Sequence, residues 1–136
     1  MINLKIKSAL KAKLKVVFCI GETLTEKRKK KTQSILSKQI KFGLHKVKNK
    51  SNIFIAYEPV WAIGTGIVPK SNDLLKTVKF IKSKFKDKSP KVLYGGSVNP
   101  QNITSLKKIN NIDGFLIGGA SQNVNKFIDI VKKTYI

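Results

Sequence analysis

One cysteine (Cys19), one histidine (His45) and one arginine (Arg28) occur in 136 residues, with only 7 acidic side chains against 28 Lys and Arg. A single cysteine excludes an intrachain disulfide and a cysteine-based metal cluster, and it fits a reducing compartment. The scarcity of arginine weakens a nucleic-acid role, because bidentate recognition of phosphate or guanine favours a guanidinium over the point charge of lysine. A formal net charge of +21 would otherwise suggest nucleic acid or an anionic membrane. The excess lysine is read instead as solvated helix faces. The aromatic residues fall within apolar strand and helix patterns rather than among exposed basic side chains. No apolar run approaches the roughly 20 residues of a membrane span, and residues 1–7 lack the apolar core of a signal peptide. The expectation is a cytoplasmic protein with no nucleic-acid partner, no membrane partner and no metal.

Four short apolar runs are present: Val16–Ile20, Ile53–Tyr57, Val92–Tyr94 and Phe115–Ile117. None alternates with polar residues, so each predicts a strand covered on both faces, as in parallel α/β sheets. Helical stripes separate them. Leu36, Ile40, Leu44 and Val47 form one, and Leu74, Val78, Ile81 and Phe85 form another. In the last segment Val124, Phe127, Ile128 and Val131 recur at the spacing of a single helix face. Residues 2–12 read as a helix entering the first run, and Glu26–Lys31 as an exposed loop and helix start. Ser71 stands as a start signal before the second stripe, and Asn99 with Pro100 suits an N-cap and first turn. The pattern α-β-α-β-α-β-α-β-α predicts one α/β domain over residues 1–136, with four parallel strands and right-handed crossovers. At 41% apolar residues, a modest core is within reach.

The residues able to do chemistry gather just past these runs, where α/β folds place their active sites. Gly21 and Glu22 follow the first. Glu58 ends the second, and the Pro-hinged, Gly-ended stretch Pro59–Gly66 follows it, like a lid over a carboxylate base. Gly95-Gly96-Ser97 and Gly118-Gly119 follow the third and fourth. Paired glycines let a backbone approach an anion and aim N–H groups at it, and a helix starting beyond each pair adds its positive dipole end. Gly66, Ser97, Gly118 and Gly119 are therefore candidate phosphate-binding positions. A glycine pair alone also reads as a tight turn, and a lone Glu beside Pro as a loop carboxylate. Their arrival in order, each at a strand end, favours the chemical reading.

Three segments carry a resemblance: Tyr57-Glu58-Pro59-Val60-Trp61-Ala62-Ile63-Gly64-Thr65-Gly66, Tyr94-Gly95-Gly96-Ser97-Val98, and Gly114-Phe115-Leu116-Ile117-Gly118-Gly119-Ala120-Ser121. Together they resemble the C-terminal half of the triosephosphate isomerase family over essentially the entire chain. The resemblance implies the C-terminal half of a TIM (β/α)8 barrel, strands five to eight with flanking helices. A whole barrel takes about 250 residues, so the N-terminal half is expected to be absent. It further implies interconversion of dihydroxyacetone phosphate and glyceraldehyde 3-phosphate, in glycolysis and gluconeogenesis, with no cofactor. Glu58 would be the base, moving a proton between C1 and C2 through an enediolate. Pro59, Val60, Trp61, Ala62, Ile63, Gly64 and Thr65 would form the lid, and Gly66 would give its N–H to the phosphate. Tyr94 and Ser97 would latch the closed lid, and Gly118 and Gly119 would complete the phosphate site. The resemblance also implies that closure of the lid excludes water from the reacting carbons.

Glu22 is expected to order neighbouring loops, Trp61 to anchor the hinge, and Cys19 to pack on the core side of its strand. His45 lies away from any strand end and is expected to be exposed, since a catalytic acid must reach the reacting oxygen. The family's catalytic lysine and histidine end its first and fourth strands and would precede residue 1. One such electrostatic partner contributes about 3–4 kcal/mol to the transition state in comparable sites, so the chain alone is expected to be inactive. Four open strands would leave two free edges and an apolar barrel-facing surface in water. Besides triose phosphate, the expected partners are therefore a complementary N-terminal half or a homo-oligomer. The alternative is a non-catalytic phosphate-binding half-barrel, or a partner-dependent fragment from a truncated gene or split enzyme.

Overall fold

Each apolar run finds its backbone partners in the next one along the chain. The computed structural model describes residues 1–86 and 89–136. In order they form α1 (Ile2–Lys11), β1 (Val16–Ile20), α2 (Leu24–Arg28), α3 (Thr32–Gly43), β2 (Ile53–Tyr57), α4 (Ser71–Ser83), β3 (Lys91–Tyr94), α5 (Ile103–Leu106), β4 (Gly114–Phe115) and α6 (Val124–Tyr135), with 3₁₀ turns at Val60–Ala62 and Gly119–Gln122. The strands make one sheet in the order β1-β2-β3-β4, every pair parallel. Helices between sequential strands require this arrangement.

Register decides which side chains share a face. Phe18 pairs with Ile55 and Ile20 with Tyr57; Ile55 then pairs with Val92, and Tyr57 with Tyr94. All of these are buried, together with Leu36 of α3 and Leu74, Val78 and Ile81 of α4. Full burial of each such aliphatic side chain contributes about 1.5–3 kcal/mol, which is why the two stripes become helices against this face. Asp113 closes the far edge. Its Oδ2 accepts from Val92 N at 2.7 Å and pairs with Lys82 Nζ at 2.8 Å, tying β4 to β3 and α4.

The opposite face is open. Val17 is 45% exposed and Cys19 is exposed, although both were expected to be covered. Helices line only one side of the sheet, and among the described residues no helix covers the other, although Ala56, level with Cys19, is buried. The stripe of α6 behaves alike: Val124, Phe127, Ile128 and Val131 are all exposed, and only Ile130 is buried.

Several element ends differ from expectation for local reasons. β4 stops at Phe115 rather than Ile117, with one further bond from Leu116 N to Tyr94 O at 2.9 Å. Ser71 is the first residue of α4, and the cap position is Lys70, which offers no oxygen. Asn99 Oδ1 accepts from Gln101 N and Asn102 N at 2.9 and 3.0 Å, an Asx turn that delays α5 to Ile103. Only the first half of the Glu26–Lys31 cluster, Glu26 to Arg28, lies in α2, which is opened by a reciprocal capping box between Thr23 and Glu26. No helix among the described residues is long and apolar enough to cross a membrane.

Candidate active site

Glu58 is the first residue past β2, and its N–H still donates to Ile20 O at 2.8 Å, so the sheet ladder fixes its backbone. Two glycines confine it. A Cβ at Gly21, after β1, would overlap the Glu58 carbonyl, and one at Gly95, after β3, would lie 2.6 Å from Glu58 Cγ and 3.0 Å from Oε1. Glu58 lies two residues past Ala56, which pairs with Cys19, so carboxylate and thiol share the open face. Cys19 therefore does not pack on the core side as expected. Partial burial, then the hydrogen bond and charge of Glu58, push its thiol up to about 12, and such a thiol is a poor nucleophile.

Beyond Glu58 the chain turns through Val60–Ala62 and reaches Gly64 (φ +67) and Gly66 (φ +77), a conformation that favours glycine. Ser97 holds this segment down: its Oγ accepts from Gly66 N at 2.9 Å and donates to Ala62 O at 2.6 Å. The Gly66 N–H, expected to face a phosphate, is thus taken up by the Ser97 hydroxyl. Tyr94, expected as a second latch, makes no hydrogen bond to this segment; its hydroxyl lies against Gly96, where an added Cβ would meet it. It shares the helix-covered face with Tyr57, is fully buried, and its hydroxyl has no partner among the described residues. Gly118 and Gly119 are exposed, with open space where a Cβ would sit. Neither packing within the chain nor a positive φ demands glycine at these two positions.

The first hinge of the segment hangs on Glu22, which is 1% exposed. Tyr57 Oη donates to both its carboxylate oxygens at 3.1 Å, Trp61 Nε1 donates to Oε1 at 3.0 Å, and Val60 N donates to its backbone carbonyl at 3.0 Å. Lys27 Nζ lies 3.6 Å from the centroid of the Trp61 ring, a cation–π contact.

The sequence profile described as triosephosphate isomerase matches residues 1–134. The chain belongs to the triosephosphate isomerase family. It is 44% identical over 138 residues to the triosephosphate isomerase of Thermodesulfovibrio yellowstonii, covering 97% of this chain and 56% of that protein. Similarity to the Dictyoglomus thermophilum protein of the same name is 45% over 141 residues (97% and 57%), and to that of Mycoplasma mobile 40% over 132 residues (97% and 54%). The chain spans about half the length of these curated relatives. Its open four-stranded sheet is accordingly half of the family's barrel.

Within this triosephosphate isomerase half-barrel, the structure brings Glu58, the Pro59–Gly66 segment and Ser97 together, and sets Gly118 and Gly119 after the strand next to that of Ser97. His45 is exposed beyond the C-terminal end of α3, as expected. One contributor escaped sequence reasoning. The Gln39 carboxamide grips both backbone groups of Gly21, accepting from its N–H at 3.0 Å and donating to its carbonyl at 2.9 Å. The grip spans 18 residues, and nothing local to Gln39 signals it.

Two predictions follow from this geometry. Ser97→Ala removes both bonds to the lid, each contributing about 0.5–1.5 kcal/mol net. Amide hydrogen exchange at Gly66 is expected to quicken about tenfold, with β2 amides unchanged; unaltered exchange at Gly66 would contradict the latch. The second concerns alkali. Burial pushes the Tyr94 hydroxyl up to about 12, and burial followed by the Glu22 charge raises that of Tyr57 further. Both ionise near 10 in the unfolded chain, so the stability they lend is complete below that pH and lost as pH rises through the folded-state values. The urea midpoint should therefore hold steady up to about pH 9 and fall between about 10 and 12, with Tyr94→Phe removing part of the fall.

Proposed function

We propose that this chain supplies the base, lid and phosphate cradle for the interconversion of dihydroxyacetone phosphate and glyceraldehyde 3-phosphate. The observation that carries this is the placement of Glu58, wedged between Gly21 and Gly95 beneath a segment that Ser97 holds down. A carboxylate so held can take a proton from one triose carbon and return it to the neighbouring one. A docked lid keeps water from the enediolate in between. The N–H groups of Ser97 and Gly118 have no partner among the described residues and, with Gly119, would face the phosphate.

Isomerisation also needs groups to balance substrate charge and polarise the carbonyl, and none of the described strand ends offers a lysine or histidine beside Glu58. In this reading they come from the first four βα units, packed on the open face that carries Val17 and Cys19. The same gap favours a second reading, a half-barrel that binds phosphate without turning it over. Titration of the chain with glycerol 3-phosphate, followed by amide NMR, tests the cradle in either reading. Shifts are expected at residues 64–66, 97, 118 and 119. Shifts confined to lysine-rich helix faces would argue against both readings.

A further inference from the structure

The lower end of the sheet, away from Glu58, carries a second feature that catalysis does not use. A cavity of about 800 Å³ opens where the chain enters β2 and β3, between the C-terminal ends of α3 and α4. Six of its fifteen described lining residues are lysines: Lys41, Lys48, Lys50, Lys84, Lys86 and Lys91. That is denser than in the chain as a whole, where 28 of 136 residues are Lys or Arg; the described lining holds no acidic residue, and Asp87 and Lys88, whose charges cancel, lie outside the described residues. None of the six makes an ion pair among the described residues; the two pairs found there use Lys82 and Lys133. Phe54 and Phe85 add half-buried aromatic surface to the same cavity.

Two opposing effects meet here. The helix ends present carbonyls, each equivalent to about half a negative charge that fades within one turn. Six ammonium groups exceed that several-fold, so the cavity is net cationic. Its volume falls within the roughly 300–1,000 Å³ usual for small-molecule sites. Lysines spread around a concavity, without a guanidinium fork, suit an anion with several charged groups rather than a single carboxylate.

We propose that this cavity binds a compact polyphosphate anion, at a site separate from the triose-phosphate cradle. Inorganic triphosphate and ATP share that chemistry, and the two aromatic side chains give a ligand bearing a ring the advantage. The test is calorimetric titration of the full chain with each, at near-physiological salt. One bound anion per chain is expected, with ATP the tighter of the two. Lys41→Glu/Lys48→Glu/Lys86→Glu should weaken binding by about tenfold or more, since each exposed charge contact contributes only a few-fold alone. Lys108→Glu/Lys126→Glu/Lys132→Glu makes the same charge change on α6 and beside α5, and should change binding less than threefold or so. Matched Lys→Gln triples replace any variant that circular dichroism shows to be unfolded. Equal weakening by both triples, or saturation at several anions per chain, would mean diffuse attraction to the +21 surface and overturn the proposal. Single-stranded DNA competing as effectively per phosphate as triphosphate would overturn it too.

Discussion

Glu58→Gln, in a barrel completed by its first four βα units, is expected to lower isomerase turnover by about 10²–10⁴-fold, the usual range for a positioned general base. Glutamine keeps the shape that the Gly21 and Gly95 backbones enclose but cannot accept the substrate proton. Folding should be little affected, because Glu58 is only half-buried and forms no ion pair among the described residues. The loss should therefore appear equally in kcat and kcat/KM, marking an interaction made in the transition state. A rise in KM with kcat intact would instead assign Glu58 to ground-state binding. Glu58→Asp withdraws the carboxylate by one methylene, and a misplacement of about 1 Å can by itself cost about a hundredfold. Its turnover should fall between those of Gln and wild type.

The glycines around the site are expected to give the next largest effects, and to give different ones. At Gly21 an added methyl meets the Glu58 backbone carbonyl, which the sheet holds rigidly. Gly21→Ala should destabilise the chain by about 1–3 kcal/mol, the usual penalty of overpacking, and should also displace the base. At Gly95 the methyl meets the Glu58 side chain, which can swing aside. Stability should survive in Gly95→Ala, while turnover of the completed enzyme falls about a hundredfold. At Gly118 and Gly119 the methyl enters open space. Those alanine variants should unfold like wild type and lose affinity only for the phosphate. Denaturant midpoints with kinetics on the same four proteins separate the cases; a uniform loss of stability would mean that all four glycines serve packing alone.

Much of this was legible in the sequence where a residue's role depends on its neighbours along the chain. The stripes of α3 and α4 announce helices because the periodicity that defines them is also what the sheet buries. The turn over Pro59–Gly66 could be read from its proline and glycines, and both glycines do take positive φ. What the sequence could not disclose was direction. An unbroken apolar run does not say which residues face the helices, and only the register puts Cys19 on the open face and Tyr94 on the covered one. For that reason Cys19 was expected in the core. The Ser97 hydroxyl that accepts from the Gly66 N–H lies 31 residues further on, a contact that nothing local to Gly66 signals. In α6 the helix was plain, while its apolar face has no cover among the described residues. Sequence patterning marks a face for burial without naming what buries it.

The most direct measurement is an isomerase assay on the purified 136-residue chain by itself, and then after addition of the separately expressed first half of one of its relatives. The proposed division of labour predicts no turnover above background for the chain by itself. Activity should appear on mixing and saturate at one half-barrel per partner. Turnover by the isolated chain at the rate of an intact enzyme would contradict it, as would a folded one-to-one complex with no activity at all.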